Sequence, residues 1–270
     1  MADKAFDGRV VVIGAGVMGS ALTRAVRATK PDEIVVVEPD PARRASMAAT
    51  GVSVHDELGD ALTGAQVVVL AVKPPVVPEV LVQVSKDLDP GATVVSVAAG
   101  VPLAVYEKVL PGTPVVRVMP NTPILVGKGV CALAAGTAAT EEHLALVEQL
   151  LAATGLVVRV AEPELDAVTA VSGSGPAYGF YLIDAMAEAG VLLGLSRELA
   201  LRLAAATVEG AGALAVRSKG HPAVLRERVS SPGGTTVAAV AELDARAVRA
   251  AVVAAARAAH TRSVELGQDT

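Results

Sequence analysis

The chain has 270 residues, of which 52% are hydrophobic and 19% charged, and this balance excludes a disordered protein. Its net charge of −5 gives no basic footprint for nucleic acid or for an anionic membrane surface. The single cysteine, Cys131, excludes an intramolecular disulfide and a cysteine-rich metal site. Neither a signal peptide nor an uninterrupted apolar stretch of membrane-spanning length is predicted. We therefore expect a cytoplasmic globular protein of two domains, without nucleic-acid or membrane partners.

Strands and helices are predicted to alternate over residues 1–163. The apolar, β-branched runs that predict strands lie at 10–13, 34–37, 51–54, 66–72, 92–97, 113–118, 130–134 and 156–160. The segments that predict helices lie between them, at 18–29, 41–49, 57–62, 76–84, 102–110 and 141–153. This alternation predicts an α/β Rossmann domain with a doubly wound, mostly parallel sheet, in which ligands bind at the carboxyl ends of the strands.

From residue 164 to 270 the pattern predicts helices alone. The predicted helices lie at 175–195, 197–216, 222–228, 235–243 and 245–266, and they carry few charges. Helices of this composition favour burial against a second copy of the chain, so we expect an all-α dimerisation domain and a homodimer. A core formed within one chain is the alternative.

Three glycines follow the first predicted strand at the spacing G-x-G-x-x-G. Gly14 suits a tight turn, Gly16 leaves room for a diphosphate, and Gly19 lets the next helix pack closely on its strand. The second strand ends at Glu38, about 20 residues further on, where a ribose-binding carboxylate is expected. The pattern predicts a dinucleotide site; a glycine-rich turn without a ligand is the alternative.

Two features near the second strand favour different dinucleotides. The Glu38 carboxylate would accept a hydrogen bond from a ribose 2′-hydroxyl and repel a 2′-phosphate, which favours NADH. Arg43 and Arg44 could instead bind that phosphate, which favours NADPH. We expect both cofactors to be used, with NADH preferred.

A second polar loop, SSPGGTT at 230–236, precedes a predicted helix. It combines hydroxyls, free amides and the positive end of a helix dipole, which suit a small carboxylate. An N-capping turn is the alternative. The four histidines lack metal-ligand spacing, and we predict no metal site. A dinucleotide site and polar loops without other catalytic groups are typical of a hydride-transfer enzyme.

The chain resembles the pyrroline-5-carboxylate reductase family over nearly its whole length. The resemblance rests on six segments in order: IGAGVMGSA at 13–21, AVKP at 71–74, VSVAAGV at 95–101, MPNTP at 119–123, AVSGSGPAY at 170–178 and SSPGGTT at 230–236. It implies a Rossmann domain followed by a helical dimerisation domain, assembled in some members into rings of dimers. The implied activity is the reduction of L-Δ1-pyrroline-5-carboxylate to L-proline with NADPH or NADH.

The resemblance also implies which residues form the site. Together with Glu38, the expected cofactor contacts are Gly14, Ala15, Gly16, Val17, Met18, Gly19, Ala71, Val72, Lys73, Pro74, Ala98, Ala99, Gly100, Met119, Pro120 and Asn121. The expected substrate contacts are Glu162, Ser231, Gly233, Gly234, Thr235 and Thr236, with the 230–236 loop supplied by the partner subunit. Lys219 stands where some members carry a glutamate near the substrate, so this chain departs from them there.

Hydride transfer to an imine is easier when the imine nitrogen is protonated. A threonine hydroxyl has too high a pKa to be a free acid, but it can bond the nitrogen or relay a proton from water. Thr236 is therefore predicted to be the catalytic residue, acting chiefly by positioning. The alternatives are a β-hydroxyacid dehydrogenase, which would need a helix-borne lysine, and a protein that senses a dinucleotide without turnover.

Overall fold

The computed structural model describes residues 8–218 and 220–268. The chain divides into two compact units. Of the described residues, the first contains 8–173 together with 259–268, and the second contains 174–218 and 220–258. The first unit thus includes the last described residues of the chain as well as residues 164–173.

An eight-stranded sheet forms the centre of the first unit. Its strands are β1 (Arg9–Ile13), β2 (Glu33–Val37), β3 (Ser53–His55), β4 (Ala65–Leu70), β5 (Thr93–Ser96), β6 (Val115–Pro120), β7 (Gly129–Ala135) and β8 (Gly155–Arg159). Their order is β3-β2-β1-β4-β5-β6-β7-β8, with β1 to β6 parallel. β7 is antiparallel to β6, and β8 runs parallel to β7. The predicted doubly wound, mostly parallel sheet is confirmed.

Apolar residues fill both faces of this sheet, as a parallel sheet covered by helices requires. In β1, Val11 belongs to the hydrophobic cluster on one face, while Val10 and Val12 belong to the cluster on the other. Successive side chains of a strand point to opposite faces, so a continuous valine run contributes to both clusters. This explains why the central strands lack an alternating polar pattern.

Within the described residues, six α-helices lie wholly in the first unit. They are α1 (Val17–Ala28), α2 (Pro41–Ala48), α3 (Val77–Asp87), α4 (Leu103–Val109), α5 (Glu141–Leu151) and α6 (Leu165–Val168). A π-helical turn, Thr169–Gly173, follows α6 directly. The segment 57–62, for which a helix was expected, holds only the 3-10 turn Gly59–Leu62.

The second unit is built from helices, as predicted. They are α7 (Gly175–Leu192), α8 (Arg197–Arg217), α9 (Pro222–Arg228) and α10 (Thr235–Ala245), followed by α11 (Val248–Gln268), which begins in this unit and ends in the first. A β-carbon added at Gly190 of α7 would lie 2.9 Å from the Ala200 β-carbon, so small residues let α7 and α8 pack closely.

Large apolar side chains of the second unit are exposed in a single copy. The buried cluster of its described residues consists of Ala187, Ala200 and Ala204. Leu193 and Val216, by contrast, are 85% and 88% exposed. Exposed apolar surface on this scale marks an interaction surface rather than a solvated one.

One helix, α8, is long and apolar enough in composition to cross a membrane. Only 11% of its most apolar 18-residue stretch is buried within the chain. A single helix of this kind is weak support for a membrane protein, because an apolar helix that packs against a second copy has the same composition. The expectation that the protein has no membrane partner stays a prediction.

Candidate active site

The three glycines between β1 and α1 form a turn that is tight on one side and open on the other. Gly14 has a φ of +98°, and a β-carbon there would lie 2.7 Å from the Ala71 carbonyl oxygen. A β-carbon at Gly19 would collide with the Gly14 carbonyl oxygen. At Gly16, no atom of a non-neighbouring residue lies within 4 Å of the β-carbon position. The open position of the turn is therefore Gly16.

The start of α1 gives this open position a second feature that is typical of anion sites. Gly16 is the N-cap residue, and no side chain caps the helix there. Val17, the first residue of the helix, is 71% exposed. Uncapped amides and the positive end of a helix dipole beside open space fit the diphosphate of a dinucleotide. A turn without a ligand would leave this helix start without a cap.

The Glu38 carboxylate lies just behind this turn. It is only 4% exposed, and its two oxygens accept hydrogen bonds from the amides of Ala15, at 2.7 Å, and Asp40, at 3.0 Å. The Ala15 amide is thus engaged by Glu38. A carboxylate has about four acceptor positions, so Glu38 retains capacity for a ribose hydroxyl.

The two arginines of α2 have different surroundings. The Arg44 Nη1 donates hydrogen bonds to the carbonyl oxygens of Glu38 and Pro39, at 2.8 and 2.7 Å. Its Nη2 lies 3.9 Å from a carboxylate oxygen of Asp56. The side chain of Arg43 is 57% exposed and lies 3.9 Å from the Glu38 carboxylate. Arg44 therefore fixes the loop after β2, and Arg43 is the more exposed of the two cations.

The remaining predicted cofactor segments follow three parallel strands. Residues 71–74, 98–100 and 119–121 come at or directly after the carboxyl ends of β4, β5 and β6. The Ala71 amide bonds the Ile13 carbonyl oxygen at 2.8 Å, which ties the first of these segments to the end of β1. The parallel strands thus bring these segments and the glycine turn to one edge of the sheet.

The Asn121 side chain makes two hydrogen bonds at this edge of the sheet. It is buried, and its amide nitrogen donates to the Ser172 carbonyl oxygen at 2.9 Å, while its oxygen accepts from the Val130 amide at 2.8 Å. Beside it, the Met119 side chain packs so closely on Gly173 that a β-carbon there would lie 2.6 Å from the Met119 methyl group. The side chain of Asn121 therefore links the loop after β6 to the π-helical turn and to β7.

Glu162 pairs with Arg117 inside the first unit. One of its oxygens accepts hydrogen bonds from the Leu103 amide at 2.7 Å and from the Arg117 guanidinium at 2.9 Å. The side chains of Arg117 and Glu162 are 13% and 31% exposed. The structure thus gives Glu162 protein partners at the start of α4 and in β6, and its substrate contact stays a prediction.

Sequence reasoning missed a buried pair of hydroxyls near this ion pair. The Tyr106 hydroxyl lies 2.5 Å from the Ser96 hydroxyl, which accepts a hydrogen bond from the Ala98 amide at 3.3 Å. Burial raises the pKa of Tyr106 to about 12, although the hydrogen bond to Ser96 and the charge of Arg117 oppose the shift. The signal available in the sequence was Arg117, a single cation within an otherwise apolar strand.

In the second unit, the 230–236 loop ends at the start of α10. Gly233 has a φ of +70°, and the Gly234 amide bonds the Ser231 carbonyl oxygen at 2.9 Å. A β-carbon at Gly234 would lie 2.5 Å from the Ser231 hydroxyl oxygen. The two glycines therefore allow a tight turn that leaves Ser231 exposed and Thr236 half-buried.

The start of α10 distinguishes the two interpretations of this loop. Gly234 is the N-cap residue, and no side chain caps the helix there. A capping turn would instead use a serine or threonine hydroxyl to satisfy these amides. The uncapped start favours an anion site, which suits a small carboxylate.

Lys219, the histidines and the candidate metal ligands remain to be placed. Lys219 lies outside the described residues. His143 pairs with Thr140 in the capping box of α5, and His221 caps α9, so both have structural roles. Within residues 8–218 and 220–268, no group of three metal-ligating side chains is present.

Two family models match separate parts of the chain. Residues 162–266 match the family model for pyrroline-5-carboxylate reductase dimerisation, and residues 9–100 match that for NADP oxidoreductase, coenzyme F420-dependent. The pyrroline-5-carboxylate reductase of Synechocystis is 42% identical over 261 residues, which covers 95% of this chain and 97% of the relative.

Two solved structures of similar fold support the same family. The chain is similar to a pyrroline-5-carboxylate reductase from Coxiella burnetii, with a TM-score of 0.90, 34% identity, and coverage of 96% of this chain and 98% of the other. It is also similar to the Plasmodium falciparum pyrroline carboxylate reductase with NADP bound, with a TM-score of 0.86, 27% identity, and coverage of 96% and 98%. The chain belongs to the pyrroline-5-carboxylate reductase family.

Proposed function

We propose that this protein reduces Δ1-pyrroline-5-carboxylate to proline with NADH or NADPH. The observation that carries the proposal is the 42% identity to a pyrroline-5-carboxylate reductase over 95% of the chain. The two uncapped helix starts, at Gly16 and Gly234, provide one anion site for the cofactor diphosphate and one for the substrate carboxylate.

In this proposal the first unit binds the cofactor. The start of α1 holds the diphosphate, Glu38 accepts the ribose hydroxyl, and the segments after β4, β5 and β6 line the nicotinamide half. The bound nicotinamide supplies the hydride. The buried links made by Asn121 fix the loop after β6, so that the protein positions the cofactor without reorganising.

The second unit supplies the substrate site. The amides at the start of α10 and the Ser231 hydroxyl hold the substrate carboxylate, and the loop comes from the partner subunit. The Thr236 hydroxyl bonds the imine nitrogen and passes it a proton from water as the hydride reaches the imine carbon. The carboxylate site fixes the ring so that this carbon faces the cofactor.

A steady-state assay tests the proposed reaction. NADH oxidation should require Δ1-pyrroline-5-carboxylate and should form one proline for each NADH consumed. Oxidation of 3-hydroxyisobutyrate with NAD⁺, without proline formation, would instead identify a β-hydroxyacid dehydrogenase. Dinucleotide binding without turnover of either substrate would identify a sensor.

Glu38 is proposed to make NADH the preferred cofactor. Its buried carboxylate, fixed by two amides, would face the 2′-phosphate of NADPH. Glu38→Gln removes the charge and keeps one acceptor oxygen. We expect the ratio of kcat/KM for NADH to that for NADPH to fall about tenfold, which corresponds to about 1.4 kcal/mol of relieved repulsion. Glu33→Gln, at the other end of β2, is the matched control, and an unchanged ratio in Glu38→Gln would remove Glu38 as the determinant.

The proposed assembly is a homodimer through the helical unit, with rings of dimers as a higher form. The match to a dimerisation family and the exposed apolar side chains of α7 and α8 support it. Because folding is then coupled to association, Tm should rise when the protein concentration is raised roughly a hundredfold. A Tm independent of concentration, together with a monomeric mass by light scattering, would contradict the dimer. A cytoplasmic location without nucleic-acid partners completes the proposal.

A further inference from the structure

The last turns of α11 are anchored on α6. The Ser263 hydroxyl donates a hydrogen bond to the Asp166 carboxylate at 2.6 Å, and Ser263 is only 8% exposed. Leu165, the neighbour of Asp166, is 1% exposed and belongs to the hydrophobic cluster on one face of the sheet. The bond therefore fixes the end of α11 to an element that is itself held in the core of the first unit.

Beyond this anchor, α11 runs directly against the turn that follows β5. A β-carbon at Gly100 would lie 3.3 Å from the Leu266 β-carbon and 3.5 Å from the Leu266 carbonyl oxygen. A β-carbon at Gly267 would lie 3.4 Å from the Gly100 carbonyl oxygen. The backbones of the turn and the helix thus approach each other closely, and glycine stands on both sides of the contact.

The conformation of this turn needs support. Gly100 has a φ of +79° and is buried, whereas Ala99, the residue before it, is exposed. Glycine loses more conformational freedom on ordering than any other residue, so a turn built on it is defined by what packs against it. On its inner side that partner is the end of α11, whereas Ala99 lies on its exposed side.

We propose that the end of α11, residues 263–267, is a positioning element for the cofactor. It holds the 98–100 turn in the shape that binds the nicotinamide dinucleotide. This inference rests on the proposed function in one respect, namely that the 98–100 turn lines the cofactor. Ser263, Leu266 and Gly267 act through the turn and contact neither cofactor nor substrate.

Two kinds of variant test this role. A chain that ends at Arg262 lacks the whole element, and its control is a chain that ends at Gln268. Ser263→Ala and Asp166→Ala each remove the anchoring hydrogen bond, while Asp166→Asn keeps an acceptor oxygen and should retain it. The point variants keep the test valid if the shortened chain does not fold.

The measurement is the Kd for NADH from the fluorescence of NADH itself, together with the KM for each substrate. We expect the Kd and the KM for NADH to rise at least tenfold in the shortened chain and about threefold in Ser263→Ala and in Asp166→Ala. The double variant should match the single ones, because the two side chains form one bond. The KM for pyrroline-5-carboxylate at saturating NADH should be unchanged, since the 230–236 loop is untouched.

An unchanged Kd for NADH in the shortened chain and in both alanine variants would overturn the inference. An equal loss of affinity for NADH and for pyrroline-5-carboxylate would also overturn it, because it would indicate general loss of structure. The fluorescence measurement needs no turnover, so it remains decisive if the substrate of the proposed reaction is wrong. A wild-type chain that binds neither dinucleotide would instead refute the proposed function.

Discussion

Replacing Thr236 by alanine is expected to lower kcat about 100-fold, the lower end of what a positioned proton-transfer group contributes. The hydroxyl is proposed to interact more strongly with the imine nitrogen as that nitrogen takes up its proton, so loss of the hydroxyl affects the transition state more than substrate binding. The KM for NADH should change little, because Thr236 lies in the second unit, outside the proposed cofactor segments. Steady-state kinetics with each substrate varied in turn measures both effects.

Two companion variants make this result specific. Thr236→Ser keeps the hydroxyl and should recover most of the activity. Thr63→Ala removes a threonine from an exposed loop of the first unit and should behave as wild type. If kcat for Thr236→Ala equals that of the wild type, Thr236 has no part in the reaction.

Gly16→Ala is expected to weaken cofactor binding, whereas Gly19→Ala is expected to destabilise the fold. Gly16 has a φ of −64°, which alanine adopts freely, and its β-carbon would meet no other part of the protein. The added methyl would instead occupy the proposed diphosphate position. We expect it to weaken dinucleotide binding by about 2 kcal/mol, or roughly thirtyfold in Kd, while the free energy of unfolding stays within about 0.5 kcal/mol of wild type.

Gly19→Ala should instead lower the free energy of unfolding. Its β-carbon collides with the Gly14 carbonyl oxygen, so α1 must move away from the turn. Overpacking of this kind costs about 3 kcal/mol of folding free energy. Denaturant unfolding and dinucleotide titration of both variants provide the comparison. Tight dinucleotide binding by Gly16→Ala would show that the turn does not hold the diphosphate.

The sheet could be predicted from the sequence because the residues that specify its strands and turns are adjacent in the chain. The valine run of β1 is apolar at every position, as a strand covered on both faces must be, and the glycine turn follows it directly. The direction of β7 could not be predicted. Whether residues 129–135 pair parallel or antiparallel with β6 depends on how the loop between them folds back, and strand composition does not encode it.

Part of the site could likewise be predicted from the sequence, and part could not. The spacing of Gly14, Gly16 and Gly19 predicts their roles, and the structure places Gly14 and Gly19 in close contacts and Gly16 beside open space. The pairing of Glu162 with Arg117 spans 45 positions of the chain, and the link from Asn121 to Ser172 spans 51. Nothing in the spacing of such distant residues specifies that they meet, so these contacts emerge only from the fold.

The most direct test of the account is a crystal structure of the oligomer with NADH and a non-reactive proline analogue. The account predicts that the analogue lies over the nicotinamide ring, with its carboxylate on the amides at the start of α10 and the Thr236 hydroxyl at its ring nitrogen. A structure in which the 230–236 loop of every subunit lies away from the nicotinamide would contradict it.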